Sequence, residues 1–145
     1  MKALIQRVKS ASVTIDKDLF SSIGAGILVF VGVTKLDTKE NAERLAQKIL
    51  SLRIFEDENE KMNYSVLDKN LELLVVSQFT LCGDCKKGTR PSFDEAAHPK
   101  VAIELYEYFV SCLRLSGLNV ATGKFQAMMD VALVNDGPVT FWVEK

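Results

Sequence analysis

Val131-Ala132-Leu133-Val134-Asn135-Asp136-Gly137-Pro138-Val139-Thr140-Phe141-Trp142-Val143 is two apolar runs separated by four residues that favour turns. Each run reads as a strand, and Asn135-Asp136-Gly137-Pro138 reads as the corner of a hairpin between them. Pro138 has no backbone N–H to donate, so the second strand has to begin at a sheet edge or a bulge. A Gly-Pro bond also tolerates the cis form, which costs only about 0.5–1 kcal/mol over trans.

Working outward, residues 2–9 and 11–16 read as strands, with Val13 and Ile15 alternating against Ser12, Thr14 and Asp16. Asp16-Lys17-Asp18 turns the chain. Ile27-Leu28-Val29-Phe30-Val31 is continuously apolar and predicts a central strand buried on both faces. Gly24 and Gly26 precede that run. They lack the third glycine of a phosphate loop and lead into a strand, not a helix. Asp37-Thr38-Lys39-Glu40 predicts a capping box with Asp37 as the N-cap. Ala42, Leu45, Ala46, Ile49 and Leu50 then follow at helical spacing to about Leu52. A polar loop runs through Lys61, a turn is expected at Asp68-Lys69-Asn70, and Leu71 to Val76 is a buried strand. Ser92 and Glu95 form a second capping-box pattern. Pro99 suits the first turn of a long helix whose inner stripe is Ala102, Leu105, Tyr106, Phe109 and Leu113, with Gly117 as its stop. Leu118 to Thr122 is a further strand.

The chain of 145 residues, 48% hydrophobic and 26% charged, fits one globular domain. A net charge of −1 supplies no global field for nucleic acid, so RNA binding has to rest on local residues. The longest apolar run, Ile23 to Val33, is broken by three glycines and falls short of the ~20 residues a bilayer needs. The first residues carry no signal-peptide core, and three cysteines do not make a secreted disulfide framework. A cytoplasmic protein with no membrane association is expected.

Two hydroxyls and an amide at the end of a hydrophobic strand, in Ser77-Gln78-Phe79-Thr80-Leu81, need hydrogen-bond partners. Two readings fit: a strand end with satisfied hydroxyls, or a pocket wall offering Ser77, Gln78, Thr80 and nearby N–H groups to a ligand. Lys86, Lys87 and Arg90 are the one compact basic cluster near it; they suit phosphate, or a solvated loop. Cys82-x-x-Cys85 has the spacing of a zinc knuckle, but His98 and Cys112 make a poor second pair, and Gly83-Asp84 does not suit a redox motif. His98, the one histidine, precedes Pro99 and reads as a helix cap. No nucleophile elbow, His-Glu-x-x-His pair or P-loop is present. An enzyme with this chain does not work through a side-chain triad.

With both stretches in hand, the chain resembles the D-aminoacyl-tRNA deacylases over essentially its whole length. Gln6-Arg7-Val8, Arg53-Ile54-Phe55, Met62-Asn63, Gly88-x-Arg90-Pro91-Ser92-Phe93 and Gly123-Lys124-Phe125 add to the match. The resemblance implies an α+β fold: a single domain over residues 1–145, a mostly antiparallel, barrel-like sheet with two main helices, and a homodimer. It implies hydrolysis of the ester joining a D-amino acid to the terminal adenosine of tRNA, with glycyl-tRNA also cleaved and no cofactor or metal. Ser77, Gln78, Phe79 and Thr80 would form the catalytic wall. Gly137 and Pro138 of the other subunit, joined by a cis bond, would enter that pocket and reject L-amino acids. Beside the resemblance, the basic cluster of Lys86, Lys87 and Arg90, if not simply a solvated loop, would meet the tRNA acceptor end. Either Thr80 is the nucleophile, or the RNA's own 2′-OH assists while the protein positions the ester and supplies N–H donors. Gln126, the glycine-free Asp16-Lys17-Asp18 turn and the Cys82/Cys85 pair depart from the family pattern.

Overall fold

The computed structural model describes residues 1–145. Its elements are, in order, β1 (Lys2–Ile15), β2 (Asp18–Ile23), β3 (Gly26–Gly32), α1 (Lys39–Ser51), β4 (Phe55–Glu56), β5 (Met62–Tyr64), β6 (Glu72–Ser77), α2 (Pro99–Arg114), β7 (Val120–Thr122) and β8 (Asp130–Glu144). A 3-10 turn, Phe79–Cys82, follows β6. β1 is the spine: it pairs antiparallel with β3, with β2 and, along its other edge, with β8. β3, β6 and β7 then continue the sheet in parallel. The Ser21 hydroxyl donates to the Thr122 carbonyl at 2.8 Å, tying β2 to β7 and curling the sheet toward a barrel. β4 and β5 form a separate two-stranded sheet.

Both faces of β3 are covered, as its unbroken apolar run predicts. Ile27, Val29 and Val31 join Ile5, Leu73, Val75 and the inner stripes of α1 and α2 in the larger core. Leu28 packs with Val8, Val13, Leu74 and Val76 inside the curl of the sheet. Each such side chain contributes about 1.5–3 kcal/mol by leaving water. Within the larger core the Tyr106 hydroxyl donates to the Val75 carbonyl at 2.9 Å, and burial pushes its pKa well above the usual phenol range. Gly26 has a packing role, not a phosphate-binding one: a Cβ there would lie 2.0 Å from the Glu72 carbonyl oxygen on β6.

Several sequence expectations give way to longer-range contacts. Asn135-Asp136-Gly137-Pro138 is not a hairpin corner: β8 runs through it as one strand. Val131 to Val134 pair with residues 10–13 of β1, and Thr140 to Glu144 pair with residues 2–6. The four residues from Asp136 to Val139 therefore bulge against the single residue Arg7. Residues 2–9 and 11–16 are likewise one strand, not two. Asp37 does not cap α1. Its carboxylate is taken by the Met1 ammonium at 2.5 Å and the Thr34 N–H at 2.6 Å. Thr38 caps instead, its N–H donating to Asn41 Oδ1 at 2.9 Å. The Ser92/Glu95 pattern starts no helix. Ser92 closes a local turn with Asp94, and α2 begins at Pro99 with His98 as its cap. β2 has no counterpart in the sequence reading. No helix is long and apolar enough to cross a membrane.

Candidate active site

β6 delivers the polar stretch to the rim of the sheet. Ser77 is its last residue, and the Gln78 N–H still donates to the Val31 carbonyl at 2.8 Å. The chain then coils into the 3-10 turn, closed by Leu81 N–H on Gln78 O (3.2 Å) and Gly83 N–H on Thr80 O (3.0 Å). Cys82 anchors the turn from below. Its thiol lies 3.5 Å from the Val33 carbonyl, and burial pushes its pKa up. The first N–H groups of such a turn have no partner within it. Those of Phe79 and Thr80 are thus open to an incoming acceptor.

Ser77, Gln78 and Phe79 line a cavity of about 730 Å³. One wall is Phe93, Ala96, Ala97 and the start of α2 at His98, Pro99 and Ala102; the other is the Phe125–Met129 segment with Val131. The lining is mostly apolar with a short polar rim, the make-up of a small-ligand site. Phe79 and Phe93 meet at the mouth with ring centroids 5.0 Å apart. Gln126 holds φ at 60°, a left-handed conformation that glycine adopts more readily.

Thr80 does not line the cavity. Its hydroxyl accepts a hydrogen bond from the Gln78 side-chain amide at 2.5 Å, and no imidazole or carboxylate is bonded to it. His98 is committed to the helix, its Nδ1 accepting from the Lys100 N–H at 3.4 Å. Lys86, Lys87 and Arg90 are exposed on the loop that leads to Phe93. No group of three or more His, Cys, Asp or Glu side chains is placed to hold a metal ion. Cys82 is buried, Cys85 exposed and Cys112 half-buried on α2.

Gly137 and Pro138 stand exposed on the bulge of β8, joined by a cis peptide, and neither lines this cavity. Within one chain the structure does not bring them to Ser77–Thr80. What fixes the bulge was missed in the sequence. Arg7 is only 6% exposed, and its Nε donates to the Asp136 carbonyl at 3.1 Å and pairs with the Asp136 carboxylate at 3.0 Å. Its Nη1 donates to the buried Ile54 carbonyl at 2.7 Å, and its Nη2 lies 3.4 Å from Glu56. Gln6 adds longer bonds to Asn135 (3.4 Å) and Thr140 (3.3 Å). The signal was available: Ala3, Ile5 and Arg7 share one inward-facing row of β1, and a cation in such a row demands partners.

The family model described as "D-Tyr-tRNA(Tyr) deacylase" matches residues 4–144. A "D-aminoacyl-tRNA deacylase" of Thermotoga petrophila is 58% identical over 145 residues, covering 100% of this chain and 97% of the relative. One from an Exiguobacterium species is 56% identical, covering 100% and 99%. Among solved structures, one described as a "c-Myc DNA Unwinding Element Binding Protein" superposes with a TM-score of 0.94 at 44% identity, covering 100% of this chain and 99% of that one. Another, described as a probable eukaryotic D-amino acid tRNA deacylase, gives 0.87 at 17% identity, covering 99% and 98%, and attests the fold alone.

Proposed function

The chain belongs to the D-Tyr-tRNA(Tyr) deacylase family, enzymes that hydrolyse the ester of D-aminoacyl-tRNA, and from that premise we propose that the cavity beside Ser77, Gln78 and Phe79 holds this ester. The observation that carries the reading is the union of a polar strand end with an apolar cavity of about 730 Å³, large enough for an aminoacylated adenosine. The aromatic and methionine walls take the flat base. The N–H groups of Phe79 and Thr80 meet the oxyanion that forms as the ester carbonyl is attacked.

The attack itself is assigned to water assisted by the RNA's 2′-OH, not to Thr80. A threonine hydroxyl needs a base to become a nucleophile. Thr80 is bonded to an amide donor instead, which leaves its oxygen less ready to attack. The protein's share is then positioning and electrostatic stabilisation.

Chirality is assigned to Gly137 and Pro138 of a second copy of the chain. Two features support this: the bulge is exposed and held in place by Arg7, and β8 has hydrogen-bonded neighbours on only one side. Val134, Phe141 and Trp142 are exposed along that strand, as an interface between two copies requires. Backbone at the α-carbon occupies the space that an L side chain would need, so discrimination works by exclusion. Glycine has no side chain to exclude, so glycyl-tRNA is cleaved too.

The test is loss of label from matched D- and L-tyrosyl-tRNA with trace enzyme. Fast cleavage of the D-ester with the L-ester spared is expected, with glycyl-tRNA also cleaved. Survival of the D-ester would overturn the assignment of the cavity. Equal loss of D- and L-esters would overturn the exclusion mechanism alone.

A further inference from the structure

Between Asp84 and Ser92 the chain leaves the body of the protein as a narrow arm. Its base is an antiparallel bridge, with Asp84 N–H on Ser92 O at 2.8 Å and Ser92 N–H on Asp84 O at 3.0 Å. The Asp84 carboxylate accepts from the Lys86 N–H at 2.8 Å and braces the first turn, while Gly88, with φ at 69°, bends the tip. The arm is also fixed to the cavity. Phe93 follows Ser92 directly and packs against Phe79 at the mouth.

The arm carries Lys86, Lys87 and Arg90, all exposed, and none joins an ion pair. Lys35, next to the arm's base, is by contrast paired with Glu95 at 2.9 Å. On a chain of net charge −1, three unneutralised cations within five residues make a local positive field beside the cavity mouth. Residues 85–91 fold back on themselves, so each side reaches about 10 Å at ~3.3–3.6 Å per residue. A stacked strand presents a phosphate about every 3.4 Å, so that reach spans about three of them.

We propose that this arm grips the backbone phosphates of the single-stranded nucleotides that precede the terminal adenosine. The inference rests on the cavity reading given above and divides the work: the cavity takes the ester, and the arm takes the RNA by charge. Phosphate contacts fix register and orientation without reading bases, so the grip is independent of sequence. Arg90 adds the planar fork that matches two phosphate oxygens at once.

The experiment compares kcat/KM on D-tyrosyl-tRNA with kcat/KM on 3′-O-(D-tyrosyl)adenosine between 50 and 200 mM salt. It uses the wild type, the variant K86A/K87A/R90A and the charge-preserving variant K86R/K87R/R90K. On tRNA, the wild type is expected to show a log–log salt slope of about −2, from ~0.7 per phosphate on a single strand. The alanine variant flattens that slope and loses about tenfold of the preference for tRNA over the adenosine ester. The charge-preserving variant keeps the slope and most of the preference, losing only the Arg90 fork. Misfolding lowers both substrates together, so the preference separates it from loss of the grip. An alanine variant with the wild-type slope and preference overturns the arm. Wild type that cleaves the two substrates equally at every salt concentration does the same while leaving the cavity reading intact. Wild type that cleaves neither substrate overturns both.

Discussion

Replacing Arg7 by methionine, which keeps much of the side-chain volume, removes the tether of the β8 bulge. Three consequences add. The buried Ile54 carbonyl loses its donor at 2.7 Å, which costs about 1–3 kcal/mol. The Asp136 carbonyl and carboxylate lose their bonds at 3.1 and 3.0 Å. Breaking a buried pair costs about 3–5 kcal/mol, but the Asp136 side chain is 39% exposed and regains water, so about 1 kcal/mol is a fair share for it. Glu56 is 50% exposed and contributes little. Methionine returns part of the loss by packing well where a charge was buried. The net is about 3 kcal/mol, out of a total stability of about 5–15 kcal/mol, so the variant still folds. Melting should fall by about 6–12 °C, read by circular dichroism, at ~2–4 °C per kcal/mol for a chain of this size. In the folded variant the ratio of kcat/KM on D- to L-tyrosyl-tRNA should drop by at least tenfold. Arg7→Lys keeps the charge but not the fork, and should fall between the two. A variant that melts within about 2 °C of wild type, or that keeps the D/L ratio, would refute the assignment of the tether.

Three further outcomes follow from the site. Thr80→Ala should keep kcat within about fivefold of wild type, while a terminal 2′-deoxyadenosine should abolish cleavage; a loss beyond about a thousandfold in Thr80→Ala would restore the nucleophile reading. Gln126→Gly should be neutral or more stable by up to about 1 kcal/mol in urea titration, because removing ~1–2 kcal/mol of left-handed strain outweighs ~0.5–1 kcal/mol of added chain entropy. A clear loss of stability would show that the Gln126 side chain holds the cavity wall. Iodoacetamide at neutral pH should label Cys85 in the folded protein and spare Cys82, whose thiol is buried and pushed toward its neutral form; mass spectrometry reads the outcome, and equal labelling would contradict the packing of the 3-10 turn.

The fold was legible where side-chain pattern and packing agree. The run from Ile27 to Val31 announced a strand buried on both faces, and the stripe from Leu105 to Leu113 announced α2. Legibility failed where a distant partner outbid local chemistry. Asn135-Asp136-Gly137-Pro138 has every residue of a turn, yet pairing with β1 on both sides holds it within one strand. Asp37 has the spacing of a cap, but an ammonium thirty-six residues away takes its carboxylate. Asp18–Ile23 lacks a clear alternation and becomes a strand only because β1 offers it an edge. At the site, Ser77, Gln78 and Phe79 were visible as polar and aromatic groups at a strand end. Arg7 was passed over because its partners, Ile54 and Asp136, are 47 and 129 residues away.

The bulge of β8 also bears on solubility. An unbroken fifteen-residue edge would offer about 50 Å of open N–H and C=O groups, at ~3.4 Å per residue, as a template for fibril growth. The extra residues opposite Arg7 cut it into two runs of five, Asp130–Val134 and Thr140–Glu144, and Pro138 removes a donor between them. The segment most exposed to another chain is thereby the one least able to recruit strands indefinitely. Any engineering that straightens it to improve packing would lengthen a sticky edge bearing Val134, Phe141 and Trp142, and would be paid back in aggregation.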